Sequence, residues 1–152
     1  MSTRIPLAFE EFLDPHWAQQ GITALITRLV VRVAFVTPDG GSTEERKAVF
    51  DTGAPVALLP LGLWQRCAVT IKGESVLRGV IRKRECELPV QIGEVTCHLP
   101  AEDGSTVSVP LTAYLAPVED IALLLGCDRL LGRFQVVIDR PHKAAYLEEL
   151  SD

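Results

Sequence analysis

The clearest hydrophobic pattern in the chain lies in residues 22–36, ITALITRLVVRVAFV, which are rich in β-branched side chains. Polar residues interrupt the apolar ones at partly alternating positions, as in a strand with one buried face. The next residues, TPDGGST, concentrate Pro, Asp, Gly and Ser, which favour turns. The pattern predicts a long strand, a turn, and a return strand through residues 46–50 that delivers the chain to Asp51.

The rest of the chain predicts short strands separated by turns. An apolar strand follows Asp51, and residues 61–68, LGLWQRCA, are long enough for one or two helical turns. Residues 69–100 predict several strands, and Asp103-Gly104 is a strong hairpin signal because this pair tolerates positive φ angles. Near the C-terminus, IALLLG is a buried run, CDRLLGRF a brief helix, and QVVID and AAYLEEL closing strands. Spaced short strands of this kind predict an all-β sandwich or barrel.

Length and composition narrow the possibilities. With 152 residues, 47% of them hydrophobic, the chain has the size and the core of one domain. The net charge of −5 without a basic stripe argues against nucleic acid as a partner. No apolar run approaches the roughly 20 residues of a membrane span, and the first 17 residues carry two Glu and an Asp, unlike a secretory signal. We expect a soluble, cytoplasmic protein that does not bind membranes.

The cysteines and histidines do not predict a metal site. Cys67, Cys86, Cys97 and Cys127 are widely spaced, without a Cys-x-x-Cys pair, and the three histidines complete no zinc spacing. Cys97 and His98 are adjacent, but neighbouring residues of a strand point to opposite faces. We therefore expect reduced thiols, no metal and no cofactor.

The candidate chemistry lies in two short segments. Asp51 closes an apolar strand and is followed by Thr52, Gly53 and Ala54, which places a carboxylate at the edge of the core. An isolated Asp-x-Gly is more commonly a simple turn former. Well downstream, however, the apolar run that ends in Leu124-Leu125-Gly126 leads into the segment that begins at Cys127.

Together these segments resemble the retropepsins, the retroviral aspartic peptidases and their bacterial relatives. In that family an apolar-Asp-Thr-Gly-Ala strand end threads beside an apolar-apolar-Gly strand that leads into a short helix. The resemblance covers residues 24–147. It implies an all-β fold, a small closed barrel of the retropepsin type over residues 21–150, with one short helix near the C-terminus, as a homodimer. Residues 1–20 then form an N-terminal extension.

The resemblance also implies an activity, an aspartic endopeptidase. Two facing carboxylates that share one proton activate water and protonate the carbonyl oxygen of a peptide bond. The chain contains one Asp-Thr-Gly, so each protomer of a homodimer supplies Asp51 as the catalytic residue. Thr52, Gly53 and Ala54 support the loop, and the Thr52 hydroxyl bonds across the two-fold axis. Leu124, Leu125 and Gly126 pack beside it.

The implied partners are a second copy and a peptide or protein substrate, which a flap covers in this family. The flap candidates are Gly79, Val80 and Ile81, in the hairpin over residues 77–87. The alternative for this hairpin is a solvated sheet edge protected by its charges.

Two further readings stay open for the whole chain. One is a catalytically silent binding or assembly module with the same dimeric fold, supported by Pro55 beside the site and by the single glycine of the flap. The other is a barrel unrelated to peptidases, in which Asp51 lies far from any symmetry axis.

Overall fold

A computed structural model describes residues 2–78 and 87–150 of the chain. The fold is mostly β, as predicted, with two short helices, α1 (Pro15–Gln19) and α2 (Leu61–Trp64). The strands are β1 (Arg4–Leu13), β2 (Leu25–Phe35), β3 (Arg46–Phe50), β4 (Ala57–Leu59), β5 (Thr70–Leu77), β6 (Leu88–Pro100), β7 (Thr106–Leu115), β8 (Leu124–Leu125), β9 (Phe134–Asp139) and β10 (Ala144–Glu149).

The prediction of a closed barrel is wrong. The ten strands form one sheet in the order β5-β6-β7-β4-β8-β3-β2-β1-β10-β9, so β5 and β9 are its two ends. An additional pairing of Ala34 with His98 and Phe35 with Cys97 joins β2 to β6. The sheet therefore folds back on itself, but β1, β10 and β9 extend it beyond that junction and its ends do not meet.

The segment that we assigned to an N-terminal extension supplies β1. Its first half pairs with β10, from Arg4 opposite Glu148 to Leu7 opposite Ala145. Its second half pairs with β2. Ile5 is fully buried and Leu7 nearly so, which makes this strand part of the sheet and of the core.

The helix predicted near the C-terminus is absent from the described residues. Residues 128–133 form consecutive turns instead. Arg129 has φ 61°, in the left-handed region, which a right-handed helix cannot accommodate. Leu130 nevertheless closes the turn onto the core, because its side chain is fully buried.

Two local predictions are confirmed. The strand predicted over residues 22–36 is β2, and its turn leads back through β3 to Asp51. The Asp103-Gly104 hairpin joins β6 and β7, and Gly104 has φ 86°, the positive angle that the turn requires. The core lies under these strands and is formed by large apolar side chains, among them Phe35, Leu59, Leu99, Leu125 and Phe134.

Neither described helix has the length or the apolar character that a membrane span requires. The flap candidates Gly79, Val80 and Ile81 lie outside the described residues.

Candidate active site

Asp51 lies at the point where β3 ends, and β8 fixes that end. β3 and β8 are parallel, with Phe50 opposite Leu125. The Asp51 amide donates a 2.9 Å hydrogen bond to the Leu125 carbonyl, and the Val49 amide donates a 3.0 Å bond to the Leu123 carbonyl. The main chain at Asp51 is therefore set by the sheet.

The Asp51 carboxylate is oriented by its own loop, residues 51–54. The Gly53 amide donates to Asp51 Oδ1 at 2.8 Å, and the Ala54 amide donates to the Asp51 carbonyl at 3.2 Å. A carboxylate that accepts a hydrogen bond from the amide two residues further along the chain forms an Asx-type turn. Asp51 is half-buried, whereas Thr52 and Gly53 are exposed. The loop therefore holds one carboxylate oxygen at the surface with a fixed direction.

Gly126 is required by the close approach of β8 to the loop. A Cβ at Gly126 would lie 2.5 Å from the Val56 carbonyl oxygen and 2.6 Å from the Ala54 carbonyl oxygen. The next two amides reach the same segment, since Cys127 donates to the Ala54 carbonyl at 2.9 Å and Asp128 to the Pro55 carbonyl at 3.0 Å. Residues 126–128 thus form a platform for the loop.

Two side chains of this platform had no role in our sequence-based site. Cys127 Sγ donates to the Thr52 carbonyl at 3.0 Å. Asp128 Oδ2 accepts from the Thr112 amide at 3.1 Å and ties the platform to β7. The only signal in the sequence was their position directly after Leu-Leu-Gly, where we expected a helix.

The structure brings together most of the residues that the sequence singled out. Asp51, Thr52, Gly53 and Ala54 form the loop, and the buried Leu125 and Gly126 lie against it, whereas Leu124 is half-buried and pairs with both Val49 and Leu58. The flap candidates lie outside the described residues.

A groove of about 500 Å³ opens between α2, β5 and β6. Its walls are largely apolar, and Asp51 is not among its lining residues, which include Trp64, Val76, Pro89, Leu115 and Pro117. The Trp64 indole is fixed there because its Nε1 donates to the Ala116 carbonyl at 2.7 Å. The groove and the Asp51 loop are therefore separate features of this chain.

The buried thiols have no reactive character. Burial raises the pKa of the Cys67 thiol to about 11 and that of the Cys97 thiol to about 12. Cys67, Cys97 and Cys127 are free thiols, and Cys127 is the one of these three that is partly exposed. Cys86 lies outside the described residues. Across residues 2–78 and 87–150, no three His, Cys, Asp or Glu side chains converge as a metal site would require.

Comparisons with protein-family models and with curated proteins find no match for this chain. A functional assignment therefore depends on the geometry around Asp51 and on the sequence of its loop.

Proposed function

We propose that this protein is an aspartic endopeptidase of the retropepsin type that works as a homodimer, with one Asp51 from each protomer. The observation that supports this most strongly is the Asp51 loop. A carboxylate at the end of a buried strand is held by the Gly53 amide at 2.8 Å and by the platform of residues 126–128. A simple turn does not need a platform built so closely that only glycine fits at its first residue.

The chemistry follows from two such carboxylates that share one proton. The ionised carboxylate takes a proton from water as the water oxygen attacks the peptide carbonyl carbon, and the other carboxylate gives its proton to the carbonyl oxygen. When the tetrahedral intermediate collapses, the C–N bond breaks, and the leaving nitrogen receives the proton that the first carboxylate took from water. A hydroxyl of the intermediate returns its proton to the second carboxylate as the carbonyl forms again, so the pair again shares one proton. Because the shared proton must be retained, we expect activity to peak on the acidic side of neutrality.

A second copy is needed because one chain offers one carboxylate in this setting. Asp-Thr-Gly occurs once in the sequence. Thr52 and Gly53 are exposed at the tip of the loop, where a two-fold axis would bring the same residues of a partner into contact.

The test is Asp51→Asn, with Asp103→Asn as its matched control. The two carboxylates have the same local role, since Asp103 Oδ1 accepts from the Ser105 amide at 2.9 Å just as Asp51 Oδ1 accepts from Gly53. Asn preserves the turn but cannot take a proton from water. We expect Asp51→Asn to reduce cleavage of a peptide library, read by mass spectrometry, to background, and Asp103→Asn to cleave like the wild type. Undiminished cleavage by Asp51→Asn would overturn the proposal.

The alternative is a catalytically silent module with the same dimer. Pro55 supports it, because a proline beside the loop removes one backbone donor from the site. A wild-type protein that forms a dimer at every pH tested and cleaves no library peptide would establish this alternative.

A further inference from the structure

Residues 8–30 form an arm at the edge of the core. The second half of β1 pairs with the first half of β2, from Ala8 opposite Val30 to Leu13 opposite Leu25. The short helix α1 lies between the two strands at the tip of the arm.

The arm extends past the Asp51 loop. Leu29 is opposite Phe50, so Asp51 follows at the level of Arg28. β2 and β3 are antiparallel. The chain therefore leaves β3 at Asp51 in the direction that leads along β2 from Leu29 back to Leu25. The paired part of the arm continues for three residue steps from Arg28 to Leu25, about 10 Å at roughly 3.3 Å per step, and α1 lies beyond it.

The inner face of the arm is the continuation of the core face of the sheet, and one polar row interrupts its apolar side chains. Side chains alternate along a strand, so Phe9 and Leu13 lie on the face that Ile5 buries in the core. Phe9 and Leu29 still pack against the core. Leu13 and Leu25, opposite each other further out, are 50% and 48% exposed.

The tip of the arm adds two large apolar side chains. Trp17 is 42% exposed and Ile22 is 46% exposed, and α1 buries none of its residues. On the outer face, by contrast, the Arg28 guanidinium covers the Phe12 ring at 4.8 Å. The uncovered apolar surface is therefore confined to the inner face and the tip.

The polar row of the inner face is Glu11 and, opposite it, Thr27, and Glu11 pairs with two cations of the β9–β10 turn. Glu11 lies 3.9 Å from the Arg140 guanidinium and 3.8 Å from the Lys143 ammonium. Opposite Glu11, Thr27 Oγ1 is buried without a hydrogen-bond partner among the described residues. A buried hydroxyl without a partner is destabilising. The uncovered apolar side chains of the inner face begin beyond this row, at Leu13 and Leu25.

We propose that the arm is a clasp that grips a second copy of this chain, so that Leu13, Trp17, Ile22 and Leu25 are buried against the partner. The inference rests on the proposed function. If two Asp51 loops meet, the body of the partner begins at the level of Asp51, and an arm that runs past that level must lie alongside it. Four large apolar side chains that are exposed at the outer end of the arm fit a protein interface better than a solvated surface.

The test uses Leu25→Glu and Trp17→Ala, with Ile71→Glu as the matched control. Ile71 is 49% exposed in β5, at the other end of the sheet, so its replacement puts the same charge on a strand residue of equal exposure. We expect the dimer dissociation constant, measured by sedimentation over a concentration series, to rise roughly tenfold or more for each arm variant. The control should dimerise like the wild type. Circular dichroism verifies that all three variants keep the fold.

Cleavage measured on the same samples separates this inference from the proposed function. If the wild type dimerises and the arm variants dissociate, the clasp is supported whether or not the wild type cleaves peptides. If the wild type is an active dimer and the arm variants dimerise equally well, the clasp is wrong and the peptidase proposal stands. A wild type that stays monomeric at all concentrations overturns the clasp.

A lipid surface is the alternative partner of the arm, and tryptophan fluorescence distinguishes it from a second copy of the chain. A wild-type monomer whose tryptophan emission shifts to shorter wavelength with phosphatidylcholine vesicles, while Trp17→Phe shows no such shift, would assign the arm to a lipid surface. That result would also overturn the clasp.

Discussion

The Asp51 loop and the arm lie at the same end of the molecule, but the loop is held by many hydrogen bonds and the arm carries exposed apolar side chains. The loop is short and mostly polar, and it is held by main-chain bonds from β8 and from residues 126–128. The arm is long, and the chain leaves Leu13, Trp17, Ile22 and Leu25 between 42% and 50% exposed. The carboxylate is thus held in position within the chain, whereas the apolar side chains beside it are left exposed.

The difference teaches how the two parts of a shared site can be built. Positioning a carboxylate to a fraction of an ångström needs rigid, local, fully bonded backbone, which a single chain can supply. Holding two chains together needs apolar area, which a single chain must leave unburied until its partner arrives. Perturbing each region separately should therefore separate catalysis from association.

The largest effect is expected at the platform. Gly126→Ala places a methyl group 2.5 Å from the Val56 carbonyl oxygen, so the backbone of the loop or of β8 must move. We expect the free energy of unfolding, measured with urea, to fall by about 3 kcal/mol, and cleavage to be lost. Gly132→Ala is the control, because nothing lies within 4 Å of a Cβ there. Equal free energies of unfolding of the two variants would show that residues 54–56 leave room for a Cβ at residue 126.

The platform also shows which features of the site could be predicted from the sequence alone. The Asp-Thr-Gly-Ala and Leu-Leu-Gly segments are local motifs, and the structure places them side by side. The close approach that requires Gly126 is to the main chain of Ala54 and Val56, far away in sequence. No local pattern encodes such distances.

Two segments, the first strand and the residues after Cys127, could not be predicted from the sequence for the same reason. Ile5 and Leu7 alternate with polar or small neighbours as a strand would, but the partner of this segment is β10, at the other end of the chain. The segment after Cys127 has helix-forming leucines, and its conformation depends on Arg129 adopting φ 61°. Long-range pairing and a single unusual backbone angle are both set by tertiary contacts rather than by local preference.

A smaller effect should distinguish the thiols of the platform and of the core. In a Cys86→Ser background, we expect iodoacetamide at pH 8 to modify Cys127 first. Burial raises the pKa of Cys67 to about 11, two units above the ordinary value of 9.0, so its thiolate fraction falls roughly a hundredfold. The Cys97 thiol, with a pKa of about 12, should react more slowly still. Mass spectrometry of the digested protein gives the three rates.

Modification of Cys127 should affect the loop and spare the arm. An alkylated sulfur cannot donate to the Thr52 carbonyl, so cleavage should decline while the dimer dissociation constant stays near its original value. Cys127→Ser, which keeps a donor, is the matched variant and should retain most of the activity. Full activity of the alkylated protein would show that the hydrogen bond from Cys127 Sγ to the Thr52 carbonyl is not needed for cleavage.

The smallest effect is expected at the end of β3 that lies furthest from both regions. Glu44 precedes β3 and bonds to Arg66, just beyond α2, and this contact lowers the pKa of Glu44 from 4.5 to about 2. Because the folded-state pKa is lowered, the stabilisation is present above the ordinary value and is lost as the pH falls from about 4.5 towards 2. The pair is at the surface, where solvent and salt weaken it. We expect Glu44→Gln to lower the Tm slightly at pH 7 and to match the wild type near pH 2.

Cleavage and the dimer dissociation constant should not change, since Glu44 contacts neither the loop nor the arm. Glu45→Gln, which breaks the neighbouring pair with Arg32, is the control for a general loss of charge. A Glu44→Gln variant that dissociates, or that loses activity, would show that the loop and the arm are coupled to the whole sheet and cannot be perturbed one at a time.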